Sequence, residues 1–206
     1  LAYLNCHDRD WVPDQEQIFG REVQFNWNEI YKILGPYFDN SLPRLTQVFL
    51  ADYNGKLTYN MNPLYKLIHE HFAIQNIAPI QNEGLIQYSC ALPNDQKYDS
   101  KLNLGKIILL KLLEKYKVKN LISSNKQGFS VNTSKLWNSY GKKIFLHYFD
   151  KSRLVEDQII NLDWVQRYVS KNNLDVRYIN KFLGILALEI WYRLFITKDL
   201  KSNEKL

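Results

Sequence analysis

Two lysines set beside glycines are the residues whose types and spacing could do chemistry. Gly105-Lys106 opens an apolar stretch, and Lys126-Gln127-Gly128-Phe129 follows downstream, with Trp137 beyond it. A lysine ahead of a glycine turn and an aromatic can aim one cation into a cleft, because glycine accepts backbone angles that a Cβ resists and a fixed ammonium stabilises developing negative charge. The same short pattern also makes an ordinary surface turn, so its weight rests on what surrounds it. Lys66 and Glu70 stand at i,i+4 spacing. On a helix that spacing puts both on one face, as partners at a site or as a solvent-facing ion pair.

Other reactive side chains read as structural. His69 and His71 flank Glu70, but i,i+2 spacing on a helix points the rings to different faces and no third ligand is near, so no metal site is expected. The His7-Asp8-Arg9-Asp10 stretch could attract magnesium and reads better as an exposed N-terminal segment. Cys6 and Cys90 are the two cysteines, too few for a disulfide framework, and Cys90 is expected to be a small buried thiol. Trp137, Trp164 and Trp191 are expected to anchor a core.

The elements that must position these residues are helices almost throughout. Apolar residues at three- and four-residue spacing predict helices over Trp27–Leu34 and Ser41–Ala51, with Pro36 and Pro43 punctuating the connection. Pro63 fits the first turn of the next helix, through Tyr65, Ile68 and Phe72. Further helices are expected over Glu83–Cys90, Leu104–Tyr116, Ser134–Phe149, Leu162–Ser170 and Val176–Phe195, and the absence of proline after Pro93 suits a helical C-terminal half. Only Val48–Leu50 and Leu57–Tyr59 alternate briefly enough to suggest strands, so a parallel nucleotide-binding sheet is not expected.

Composition suits a globular chain with a sizeable core: 46% of 206 residues are hydrophobic. Lys and Arg total 27 against 21 acids, a net charge of +6 that favours acidic partners. The lysines are spread out and no helix-turn-helix, zinc-finger or RNP pattern occurs, so nucleic acid is not the expected partner. The apolar run from Phe182 to Phe195 is interrupted by Glu189 and Arg193 and is too short for a bilayer, so a membrane is not expected either and a reducing, cytoplasmic setting is. The chain opens on Leu1 without an initiator methionine, which leads us to expect a processed or partial polypeptide.

The ordered motifs resemble the asparagine synthetase B family of AMP-forming amide ligases. Ala91-Leu92-Pro93, Lys97, Gly105-Lys106 with Ile107, Leu109 and Leu110, and Lys126-Gln127-Gly128-Phe129 are similar in order and spacing to that family's Leu-Pro, Lys, Gly-Lys and Lys-x-Gly-Phe block. Upstream, Asp52-Tyr53, Tyr65-Lys66 and Ala78-Pro79-Ile80-Gln81-Asn82 resemble its aspartate-bearing helix and Pro-Phe-Leu-Asp turn. Downstream, Ser152 to Asp157 and Leu188 to Phe195 look like its closing helical segments. The resemblance spans residues 46–196 and implies a mainly α fold, the helical C-terminal half of an adenine-nucleotide α-hydrolase-like synthetase domain. Residues 1–45 then form an N-terminal segment with one or two helices, 46–197 the asparagine-synthase-like region, and 198–206 a charged tail.

The departures are equally specific. The family's Ser-Gly-Gly-x-Asp-Ser phosphate loop and its second acidic glycine-rich loop are absent, and the eight glycines stand apart. No glutaminase domain with its N-terminal cysteine is expected here, and the position matching the aspartate of the family's Asp-Arg pair carries Lys66, followed by Leu67. An ammonium there repels both magnesium and a phosphate-binding lysine, and Glu70 is the candidate displaced acid. The resemblance implies ATP and magnesium in a completed assembly, with a nucleotide-binding half or another protein subunit as partner. It implies Lys126 as the catalytic cation, with Lys106 and Gly128 toward substrate or phosphate. The alternative is a catalytically degenerate scaffold or binding subunit.

Overall fold

A computed structural model describes residues 2–7, 10–121 and 132–201. The architecture is mainly α-helical, and the one sheet among the described residues is a two-stranded antiparallel ladder pairing Tyr98 with Gly105 and Asp99 with Leu104. The chain divides into two compact units, one made of residues 1–28 with 129–206 and the other of residues 29–128.

The first unit holds a dense aromatic core. Its central element is the twenty-residue helix Val176–Phe195, which packs against Thr133–Leu136, Lys142–Phe149 and Arg153–Glu156. Ile179, Phe182, Ile185 and Glu189 form its buried stripe, at the spacing that keeps side chains on one helical face. Phe182 stacks on Trp137 at 5.4 Å between ring centroids, and Phe145 lies 5.0 Å from Phe182. Such tilted and offset pairs add directional attraction to the burial of large apolar area.

Local chemistry sets the helix starts. The Asn161 side chain accepts from the backbone N–H of Asp163 and Trp164, Ser152 accepts from Val155, and Asp175 accepts from Arg177. Each satisfies donors that a first turn leaves open. An N-terminal segment is tied to the same unit by an antiparallel bridge between Phe19 and Ile160. The Gly20 N–H donates to the Ile159 carbonyl at 2.8 Å, and the Asn161 N–H donates to that of Ile18 at 2.8 Å. A Cβ on Gly20 would lie 2.0 Å from the Gln158 carbonyl oxygen, so only glycine fits this approach.

The second unit is built differently. Helix Arg44–Ala51 runs through a π-helical stretch, Asp52–Met61, into helix Asn62–His71. Glu83–Ala91, Asn94–Lys97, the short ladder and Ile107–Lys115 follow. Among its described residues only Gln47 and Ala51 are buried. Gln47 is held by donating through its side-chain amide to the carbonyls of Phe38 and Asn40.

Several sequence expectations change. Pro36 lies inside helix Trp27–Phe38, in its last turn, instead of ending it. Val48–Leu50 and Leu57–Tyr59 are helical, because the helix beginning at Arg44 continues through both. Leu104-Gly105 is a strand, and the helix starts at Ile107. Cys90 is exposed, as is Cys6. Trp137 and Trp164 are core residues, whereas Trp191 is 48% exposed. Among the described residues no helix is long and apolar enough to cross a membrane.

Candidate functional site

Lys66 and Glu70 share the exposed face of helix Asn62–His71, with Nζ and Oε1 3.8 Å apart. Both side chains are more than half exposed, so water screens the pair and it adds little to stability. Just beyond, Ala73 takes left-handed backbone angles with φ 53°. Its N–H donates to the Glu70 carbonyl at 3.1 Å, and that of Ile74 to the His69 carbonyl at 2.8 Å. Paired bonds of this kind close a helix end and turn the chain back along it.

The returning segment Ile74-Gln75-Asn76 and the helix side chains Asn62, Lys66, His69 and Glu70 line an open cleft of about 430 Å³. His69 Nδ1 is buried there and has no hydrogen-bond partner among the described residues. The cleft therefore presents the Lys66 ammonium, the Glu70 carboxylate and side-chain amides, a set able to grip a small polar molecule carrying both charges.

Lys106, the second expected site residue, is exposed and does not line this cleft. It is the residue before helix Ile107–Lys115 and adopts φ 60°. The left-handed conformation therefore falls on the lysine and not on Gly105, since no described glycine has positive φ. Lys126 and Gly128 lie outside the described residues.

Two buried charges in the first unit were not foreseen. Lys181 is 1% exposed; its Nζ donates to the Pro13 carbonyl and lies 5.4 Å from the ring centre of Tyr178 and 5.7 Å from that of Trp164. Burial pulls its pKa below the ordinary lysine value, and the nearby Asp14 and Asp10 carboxylates oppose that pull. Asp14 in turn accepts from the hydroxyls of Tyr178 at 2.6 Å and Tyr168 at 3.2 Å. The Tyr178 pKa is raised by burial and by that bond. Glu189 is also 1% exposed and accepts from the Ser152 hydroxyl and the N–H groups of Arg153 and Leu154. These groups fasten segments to the long helix. The available signal was their position: Lys181 and Glu189 fall on the stripe that carries Ile179, Phe182 and Ile185, where a charge must find partners.

The described residues do not fit a nucleotide's phosphates or its magnesium. A phosphate cradle needs successive N–H groups converging from a glycine-rich turn, and the described glycines are isolated with negative φ. No group of three or more His, Cys, Asp or Glu among the described residues could hold a metal ion.

Compared with known families, residues 12–193 match the family model described as asparagine synthase. No curated protein and no solved structure matches the chain.

Proposed function

The chain belongs to the asparagine synthase family, and on that premise we propose that it is the helical part of an ATP-dependent amide-bond-forming ligase whose nucleotide-binding half is supplied elsewhere. The observation that carries this reading is the family match over residues 12–193. The lack of a phosphate cradle among the described residues supports the second clause: ATP and magnesium would be held by the completing half, and no step through them is assigned to this chain.

In this reading Lys126 would lie nearest the chemistry. When an amine attacks an activated carboxylate, negative charge grows on the carbonyl oxygen, and a fixed ammonium stabilises that oxygen more in the transition state than in the ground state. Gly128 would set the turn that presents the lysine, and Lys106 would add positive charge from an exposed position. Among the described residues Glu70 is the only acid lining the cleft beside Lys66, and it is the candidate displaced carboxylate in this reading.

A second reading has its own support. Where the family carries an acid this chain carries Lys66, engaged with Glu70 in a solvent-exposed ion pair, which favours a scaffold that keeps the helices without the reaction. Reconstitution separates the two. The chain is combined with a polypeptide bearing a Ser-Gly-Gly-x-Asp-Ser loop, magnesium-ATP, a carboxylate and an amine. Amide and AMP formed only when both polypeptides are present support the ligase; stable co-assembly without product supports the scaffold. Calorimetry adds a check, since micromolar magnesium-ATP affinity of this chain alone would overturn the proposal of a separate nucleotide-binding half.

A further inference from the structure

We propose that helix Ile107–Lys115 is a docking seam for an acidic amphipathic α-helix of another polypeptide. The inference does not depend on ligase activity. Its first support is the burial pattern: the described part of the second unit buries only Gln47 and Ala51, so its helices keep much apolar surface in water, which is unfavourable at roughly 25 cal/mol per Å².

On helix Ile107–Lys115 that surface has a definite shape. Leu109, Leu112 and the capping Tyr116 are 49%, 46% and 66% exposed. They stand at i, i+3 and i+7, the spacing by which one helix reads another. Ile107, Ile108, Leu110 and Leu113 are partly buried, and the helix packs on Asn94–Lys97. The open stripe is therefore narrow. A seam of this width suits one partner helix, whereas an interfacial membrane helix needs a broad apolar face.

Charge selects the partner. Lys115 borders the seam, Lys106 precedes it, and Lys117 and Lys119 follow it. Lys119 pairs with Glu114 at 3.3 Å. Lys111, Lys115 and Lys117 have no carboxylate within ion-pair distance among the described residues. Residues flanking an apolar seam set partner choice through complementary charge. A second copy would bring lysines against lysines, so an acid-flanked helix is the occupant that these side chains fit.

The test uses the full chain and two fluorescent helical peptides with leucine at the seam positions, one flanked by glutamate and the other by lysine. At low salt the glutamate peptide should bind saturably and about tenfold or more tighter than the lysine peptide. Leu112→Asp should weaken it by about tenfold or more without altering the circular dichroism, since Leu112 lies outside the core. Lys115→Glu should shift preference toward the lysine peptide. Equal binding of both peptides, binding of neither, or indifference to Leu112→Asp overturns the proposal. So does concentration-dependent self-association that Leu112→Asp abolishes, or partition into phosphatidylserine vesicles without glutamate-peptide binding.

Discussion

The Ser152 hydroxyl donates to Glu189 Oε2 at 2.7 Å, joining the start of the short helix Arg153–Glu156 to the middle of the long one. The same carboxylate accepts from the N–H groups of Arg153 at 2.9 Å and Leu154 at 3.1 Å, so a distant side chain caps a first turn. Glu189→Ala would leave buried donors unsatisfied and is expected to lower unfolding free energy by roughly 2–4 kcal/mol. Ser152→Ala removes that donor together with the oxygen that accepts from the Val155 N–H, and should cost about 1–2 kcal/mol. Urea denaturation checks both, and equal losses from the two variants would contradict a carboxylate-centred cap.

Gly20 and Gly55 make a matched pair. A Cβ at Gly20 meets the Gln158 backbone, which cannot swing aside, while a Cβ at Gly55 meets nothing within 4 Å. Gly20→Ala should open the Phe19–Ile160 bridge at a cost of about 2–3 kcal/mol. Gly55→Ala, in a helical stretch, should be neutral or stabilise by up to about 1 kcal/mol. Equilibrium unfolding of the two variants side by side measures the contrast, and similar midpoints would mean that the bridge contributes little.

Acid should loosen the C-terminal segment through Asp199. The Arg153 guanidinium, bonded to its carboxylate at 2.8 Å, holds the Asp199 pKa at about 2, below the ordinary 3.8, with Thr197 and Arg193 also donating. A depressed carboxyl pKa contributes stability that is present above the unfolded value and is lost as pH falls through the folded one. Asp199→Asn should therefore flatten the decline in stability between about pH 4 and pH 2. At neutral pH it should cost less than about 1 kcal/mol, because the ion pair is partly solvated. Unfolding midpoints at pH 7, 4 and 2.5 test this, and parallel acid limbs for the two proteins would contradict it.

What was legible in the sequence followed from periodicity and caps. Helix Leu162–Val169 begins after Asn161, whose side chain caps it, and Val176–Phe195 begins after Asp175, which does the same. Pro63 occupies the first turn expected of it. Leu57–Tyr59 misled because brief alternation over three residues cannot compete with a helix already propagating from Arg44. Trp191 misled because residue type does not reveal which face of a long helix is covered. Lys181 and Glu189 stayed hidden because their partners, the Pro13 carbonyl and the Ser152 hydroxyl, lie far away in sequence. The Lys66–Glu70 pairing was readable from i,i+4 spacing alone, but the cleft beside it was not, since it depends on the left-handed turn at Ala73, an unusual residue for that conformation.

Lys126 and Lys66 test the ligase reading as a pair. In an active assembly Lys126→Ala should slow amide formation by about two or more orders of magnitude, the loss that accompanies removal of one preorganised electrostatic donor. Lys66→Ala should leave the rate within about threefold, because its exposed ammonium is already paired with Glu70 in water. Folding should survive Lys66→Ala, because its side chain is mostly exposed, and circular dichroism of both variants separates a chemical effect from an unfolded chain. Rates under saturating substrates give the comparison. Equal, small effects would remove Lys126 from the reaction, and a collapse confined to Lys66→Ala would mean that the chain works around a different cation, at the cleft beside Glu70.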